Sequence, residues 1–237
     1  MGDIRPRLDP GEYARLKDLK KADNVLVVGD LHAPFIKEGY FEHCVETYQR
    51  FYCNEVVFIG DIIDNHYSSY HETDPDGYGA GEELERAIDA LNEWKGYFSK
   101  ATVLLGNHDL LVQRKAYTAG LSKRWIREYN EVLLAPGWKF VEEYEKDNVL
   151  YVHGTGRKCR QRAKADLIST VQGHYHSDFY CDFFVGKKYK IFAMQVGCGV
   201  DQKAYAMAYG KAGPRMAIGC AVVLDSGRLP VLCPMEL

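Results

Sequence analysis

Apolar residues fall into short runs along this chain, and the period of the pattern changes from one stretch to the next. Val25–Gly29 is a β-branched run of strand length with no polar interruption, the pattern of a strand buried on both faces. Val56–Gly60, Ala101–Leu105, Val149–Val152 and Ile168–Gln172 repeat it. Between the first two runs, Tyr40, Phe41, Cys44, Val45 and Tyr48 recur at helical spacing and predict a helix over 38–51. Leu84, Ala87, Ile88, Leu91, Trp94 and Phe98 predict another over 82–98. Leu110–Tyr117 and Leu121–Tyr129 predict two more, with a turn at Pro136-Gly137. Past residue 176 the pattern turns to strands over Phe179–Phe184, Lys190–Val196, Ala217–Leu224 and Leu229–Leu232. Gly186 and Ser226-Gly227 stand where hairpins need their turns. Strand–helix–strand order in the first half favours parallel pairs with right-handed crossovers. The tail favours antiparallel pairs, so the expected class is a mixed α/β domain.

The chain's 237 residues suit one domain with a substantial core. The expected division is an N-terminal arm over 1–23, with a short helix over Glu12–Lys20, followed by a single domain over 24–237. Residues 65–81 read as a long irregular loop bordering a cleft. A net charge of −3 excludes a global basic field for nucleic acid. Any such contact must use a local patch, and Arg157–Lys164 is the densest basic run. Seven cysteines, an odd number with no Cys-x-x-Cys spacing, argue against a disulfide framework and a thiolate zinc site. Reduced thiols, no secretory pattern and no membrane-length apolar run lead to the expectation of a cytoplasmic protein with no membrane partner.

The candidate chemistry sits where the apolar runs stop. They end in Asp30-Leu31-His32, Asp61-Ile62-Ile63-Asp64, Gly106-Asn107-His108-Asp109, His153-Gly154 and Gly173-His174-Tyr175-His176. Turn chemistry accounts for Gly, Asn and Asp in such places. It does not account for five of the chain's eight histidines falling there. Carboxylate, imidazole and amide oxygen together suit manganese, iron, zinc or nickel and are too nitrogen-rich for a calcium cage. Asp30, His32, Asp61, Asn107, His153, His174 and His176 exceed the four or so ligands one ion takes, which suggests two ions sharing a ligand.

In this order the five blocks resemble the calcineurin-like metallophosphoesterase superfamily. The resemblance implies a four-layer αββα sandwich, with two facing mixed β-sheets and metals at the strand ends. It implies two divalent transition metal ions, manganese foremost. Asp30, His32 and His176 would hold one, Asn107, His153 and His174 the other, and Asp61 would bridge. The implied reaction is attack on a phosphate ester by a metal-bridging hydroxide. His108, beside a ligand, would donate a proton to the leaving oxygen. Asp64 would lie against His108, orient it and favour its protonated form. Asp109 reads as a capping or turn residue. His43, His66 and His71 read as ordinary histidines.

One departure narrows the substrate. Protein phosphatases of this superfamily continue the second block with Arg-Gly, whose arginine clamps phosphate, whereas Asn65-His66 follow Asp64 here. Arg114 and Arg157 are the candidate substitute cations. The expected activity is therefore a phosphodiesterase on nucleotides or nucleic acid, with the basic run beside the cleft. The net charge and the acidic stretch Glu72–Glu93 favour a nucleotide or single strand over a duplex. A phosphomonoesterase with the same metal site is the alternative. A non-catalytic binding scaffold of the same fold is the alternative of another class. The intact ligand set speaks against that scaffold.

Overall fold

Alternate residues of the first strand serve two different cores. In the computed structural model, which describes residues 21–70, 73–204 and 215–236, β1 (Val25–Val28) sends Val25 and Val27 to one side and Leu26 and Val28 to the other. Val25 and Val27 meet Tyr151, Val171, Phe192 and Met194, which belong to a second sheet. Leu26 and Val28 meet Tyr40, Cys44, Ala87 and Trp94, which belong to helices. Burying each such side chain contributes about 1.5–3 kcal/mol, so two apolar faces hold this short strand in place.

The first sheet contains β1, β2 (Glu55–Phe58), β3 (Ala101–Leu104), β4 (Trp138–Val141), β10 (Ile218–Leu224) and β11 (Leu229–Glu236). Their order is β11-β10-β1-β2-β3-β4. β1 to β4 run parallel, and β10 and β11 are antiparallel additions. The second sheet contains β5 (Glu143–Lys146), β6 (Val149–Val152), β7 (Ser169–Gln172), β8 (Tyr180–Val185) and β9 (Lys190–Gln195), in the order β5-β6-β7-β9-β8. β6, β7 and β9 are parallel and the two edges antiparallel. Helices α1 (Tyr40–Arg50), α2 (Ala80–Ala90) and α3 (Asn92–Tyr97) cover the outer face of the first sheet. Two short helices, α4 (Leu111–Thr118) and α5 (Tyr129–Val132), follow β3. Helix α6 (Cys159–Asp166) covers the second sheet, where Cys159 and Ala163 meet Ile191 and Ala193. Helix, sheet, sheet and helix make the four-layer αββα arrangement with two facing mixed sheets that the sequence led us to expect.

Two local expectations change. The helix expected over 82–98 is two helices, interrupted at Leu91. The helix expected over Leu121–Tyr129 is a single tight turn at Lys123–Trp125. Gly120, at φ +73°, ends α4, and Leu121 and Trp125 face solvent, so no buried stripe supports a helix there. The basic run is mostly helix α6. Lys158 pairs with Asp178, while Arg160 pairs with Asp182 and stacks on Tyr180. Lys164 lies over Phe184, so most of the run's charge is spent against the second sheet. Strands β4 and β5 were not foreseen. The expected arm helix Glu12–Lys20, and His71, lie outside the described residues.

Candidate metal centre

The parallel strands β1, β2 and β3 of one sheet, and β6 and β7 of the other, deliver their following loops to one edge of the sandwich. That is where open α/β sheets bind ligands. Asp30 and His32 follow β1, Asp61 and Asp64 follow β2, and Asn107, His108 and Asp109 follow β3. His153 follows β6, and His174 and His176 follow β7. The loops turn sharply to aim these side chains. His32, Asp61 and His174 adopt left-handed backbone at φ +48°, +47° and +72°. Such conformations cost about 1–3 kcal/mol in non-glycine residues and concentrate at functional sites. Gly106 and Gly173 are needed for a different reason. A Cβ there would lie 2.0 Å from Asp61 Oδ1 and 2.4 Å from Asp30 Oδ1.

The seven predicted ligands converge. Asp30, His32 and His176 offer donor atoms within 4.8 Å of one another, and so do Asp61, His153 and His174. His176 Nε2 is 3.1 Å from Asp30 Oδ2. Asp61 Oδ2 stands between the two groups, 3.7 Å from His32 Nε2 and 3.1 Å from His153 Nε2. Asn107 Oδ1 lies 3.1 Å from His153 Nε2. His153 Nδ1–H donates to the Ile59 carbonyl at 3.1 Å, which turns Nε2 inward. Asp30 Oδ1 and His32 Nε2 are buried and have no hydrogen-bond partner. Buried polar atoms are normally satisfied, so two unsatisfied donor atoms at such a convergence fit cations. Arg114 and Arg157 belong to neither group. Arg114 lies on α4 over the Tyr70 ring, and Arg157 is exposed.

Asp64 serves two histidines. Its carboxylate accepts from His32 Nδ1–H at 2.5 Å and lies 3.3 Å from His108 Nδ1. Its backbone carbonyl accepts from His108 Nδ1–H at 2.6 Å. His32 is thereby turned so that Nε2 faces Asp61, the usual arrangement behind a metal-bound histidine. His32, Asp64 and His108 also lie within ligand distance of one another.

Several positioning residues have no signal in the sequence or only a partial one. Asp109 Oδ1 accepts from the Ile62 and Ile63 N–H groups, and Oδ2 from Gly106 N–H, so one buried carboxylate ties the β2 loop to the β3 loop. The Tyr40 hydroxyl accepts from Gly29 N–H and donates to the Gly219 carbonyl, fixing the chain just before Asp30. Gln172 Nε2 donates to the carbonyls of Gly154 and Arg157, which holds the loop after His153.

The charges of the cluster are coupled. Burial opposes a charge on His153, but Asp61 and Asp30 outweigh it and push the imidazole up to about 10. Burial would raise Asp61, but His153, with His32 and His108 behind it, holds it well below the carboxylate range. Burial, then the nearby Asp61 charge, pushes Asp109 up to about 7. His32 and His174 are lowered, first by burial and then by the charges of His108 and His153 respectively. An ion held by His153 would need its Nε2 lone pair, so binding would expel that proton. Below about 10 the proton competes. Mn²⁺ affinity should therefore rise with pH, by about tenfold per unit for one proton released. Calorimetric titrations at several pH values check this, and a pH-independent affinity would contradict it.

The family profile of the calcineurin-like phosphoesterases matches residues 24–197, a span that contains all five loops. The chain belongs to the calcineurin-like phosphoesterase family. Among solved structures, this calcineurin-like chain is similar to vacuolar protein sorting 29 from Cryptosporidium parvum, at 16% identity and a TM-score of 0.48, over 91% of this chain and 92% of that one. It is similar to YfcE, a phosphoesterase from E. coli, at 14% identity and a TM-score of 0.41, over 89% and 99% of the two chains. It is also similar to the nuclease MPE of Pseudomonas putida, at 14% identity and a TM-score of 0.42, over 89% and 87%. No curated protein matches the sequence. Members of the calcineurin-like family are generally metal-dependent hydrolases of phosphate esters, and the His and Asp groups described above are candidate sites for that metal. No helix among the described residues is long and apolar enough to cross a membrane.

Proposed function

We propose that this protein is a dinuclear metal-dependent phosphoesterase that cleaves phosphodiesters of nucleotides or nucleic acid. The observation that carries the reading is the position of Asp61 Oδ2, between His32 Nε2 on one side and His153 Nε2 on the other. Asp30, His32 and His176 would hold one divalent ion, and Asn107, His153 and His174 the other, with Asp61 shared. Manganese suits these donors, as do iron, zinc and nickel. Such a pair of ions supplies a nucleophile from water at neutral pH and neutralises the phosphoryl oxygens.

The chain's own residues do the rest. Asp64 fixes His32 and His108 at once. His108 Nδ1–H is committed to the Asp64 carbonyl, so Nε2 is the nitrogen that exchanges a proton. Burial opposes its charge, but Asp61 and Asp64 raise the imidazole above its ordinary value. His108 is then the general acid for the leaving oxygen. No described Lys or Arg pairs with Asp30, Asp61 or Asp64. Asn65 fills the place of the protein-phosphatase arginine and donates to the His108 carbonyl instead. A site without that cation suits the single charge of a diester better than a monoester dianion.

The test is a comparison of aryl phosphodiester and aryl phosphomonoester hydrolysis by Mn²⁺-loaded protein. The expected outcome is faster diester cleavage. Monoester cleavage far faster than diester cleavage would assign the site to a phosphatase. Hydrolysis of neither would leave a binding scaffold.

A further inference from the structure

The segment after the Gly106–Asp109 loop carries an unusual surface. Residues 110–127 include Arg114, Lys115, Lys123, Arg124 and Arg127 and contain no Asp or Glu, in a chain of net charge −3. Among the described residues, none of these five cations forms an ion pair. The same segment exposes aromatic rings, with Tyr117 at 82% and Trp125 at 84% exposure. Tyr70, from the loop after Asp64, is 59% exposed and joins them. The Tyr70 ring has Arg114 at 5.3 Å and Lys115 at 5.5 Å, and Lys115 Nζ also donates to the Ser69 carbonyl. A groove of about 350 Å³ runs between them, lined by Tyr70, Arg114, Tyr117 and Lys123. Glu142 is the one carboxylate among its described lining residues.

Cations interleaved with exposed rings, with a single carboxylate at the groove, suit a single-stranded nucleic acid. Phosphates take the cations and unpaired bases stack on the rings. Bases in a duplex are already stacked and cannot reach such rings. Both sides of the groove follow the candidate centre directly in the chain. Leu110, which also lines the groove, is the residue after Asp109, and the loop carrying Tyr70 begins at Asp64. The basic run of α6 offers no equal surface, because Lys158 and Arg160 are already paired with carboxylates.

We propose that the groove lined by Tyr70, Arg114, Tyr117 and Lys123, with the exposed Trp125 two residues beyond Lys123, binds single-stranded nucleic acid and leads it to the metal centre. The binding stands by itself, and only the cleavage of the strand rests on the phosphodiesterase reading. Trp94 and Trp138 are 0% and 3% exposed, so Trp125 is the tryptophan whose emission a bound base can quench.

The experiment is a titration of the full chain with an oligodeoxythymidylate of about twelve residues, long enough for one strand site. It is run in EDTA, so that no cleavage occurs. Tryptophan emission and oligonucleotide anisotropy are followed together. We expect quenching that tracks binding, and much weaker binding of a duplex of the same length. Tyr117→Ala and Trp125→Ala should each weaken binding by about tenfold. Trp125→Phe keeps a ring, so it should keep affinity while losing the quenching. Lys123→Ala should reduce the log–log salt slope by about 0.7. All these side chains are exposed, and circular dichroism checks that the variants fold. Absence of binding, or equal binding by wild type and both alanine variants, would overturn the proposal. So would quenching that follows protein concentration alone, since a second copy would then cover the face. Aryl diester hydrolysis by the Mn²⁺-loaded wild type, measured beside it, separates failure of this surface from failure of the phosphodiesterase reading.

Discussion

Asp61→Asn should reduce phosphoester hydrolysis to the level of the metal-stripped protein and lower the bound Mn²⁺ to at most one ion per chain. Asp61 does three things at once. Its Oδ2 lies within 3.1 Å of His153 Nε2 and 3.7 Å of His32 Nε2, the position of a shared ligand. Its Oδ1 accepts the His108 N–H at 2.8 Å, which holds the backbone of the proposed general acid. Its charge is among those that keep His153 and His108 raised. Asparagine keeps the shape and tolerates the left-handed backbone at φ +47°, so the charge is the property removed. Elemental analysis and turnover on one sample, with a thermal melt to show that the variant folds, make the check. A variant that keeps two ions would show that Asp61 is not shared.

His108→Ala should lower turnover by about 10²–10⁴-fold, the usual cost of losing one proton transfer, while metal content stays near normal. The pH profile adds a second readout. A general acid acts in its protonated form, so wild-type turnover should decline as pH rises through the raised pKa of His108. The variant should lack that limb. His32, Asp64 and His108 lie within ligand distance of one another, so the alternative is concrete. If His108→Ala loses metal in proportion to its activity, His108 is a ligand and not the acid.

Legibility followed burial. Strands covered on both faces, such as Val25–Val28, leave unbroken apolar runs that are read directly. β5 does not. As the edge of its sheet, with the sequence Glu143-Tyr144-Glu145-Lys146, it buries little and is held by Tyr144 and Lys146 on Glu55. Helix α6 was obscured because its buried stripe is only Cys159 and Ala163, among basic residues. The helix expected at Leu121–Tyr129 failed for the opposite reason. Its apolar residues repeat at helical spacing, but Leu121 and Trp125 stay exposed and only Tyr129 packs, on Phe140, so no continuous buried stripe holds a helix. At the site, ligand types stood out because histidine and carboxylate gathered at strand ends. Their supports did not. Asp109 reaches N–H groups 46 and 47 residues away, and Tyr40 reaches a carbonyl 179 residues away. Such pairings depend on sheet order, which local pattern does not carry. Asp64 was placed against His108, and the structure adds its closer partner, His32.

The decisive measurement is the rate of aryl phosphodiester hydrolysis as Mn²⁺ is added in known equivalents to metal-stripped protein. Two ions sharing Asp61 predict a rate that climbs until two equivalents per chain and then levels. Levelling at one equivalent, or no hydrolysis at any loading, would contradict a dinuclear phosphoesterase.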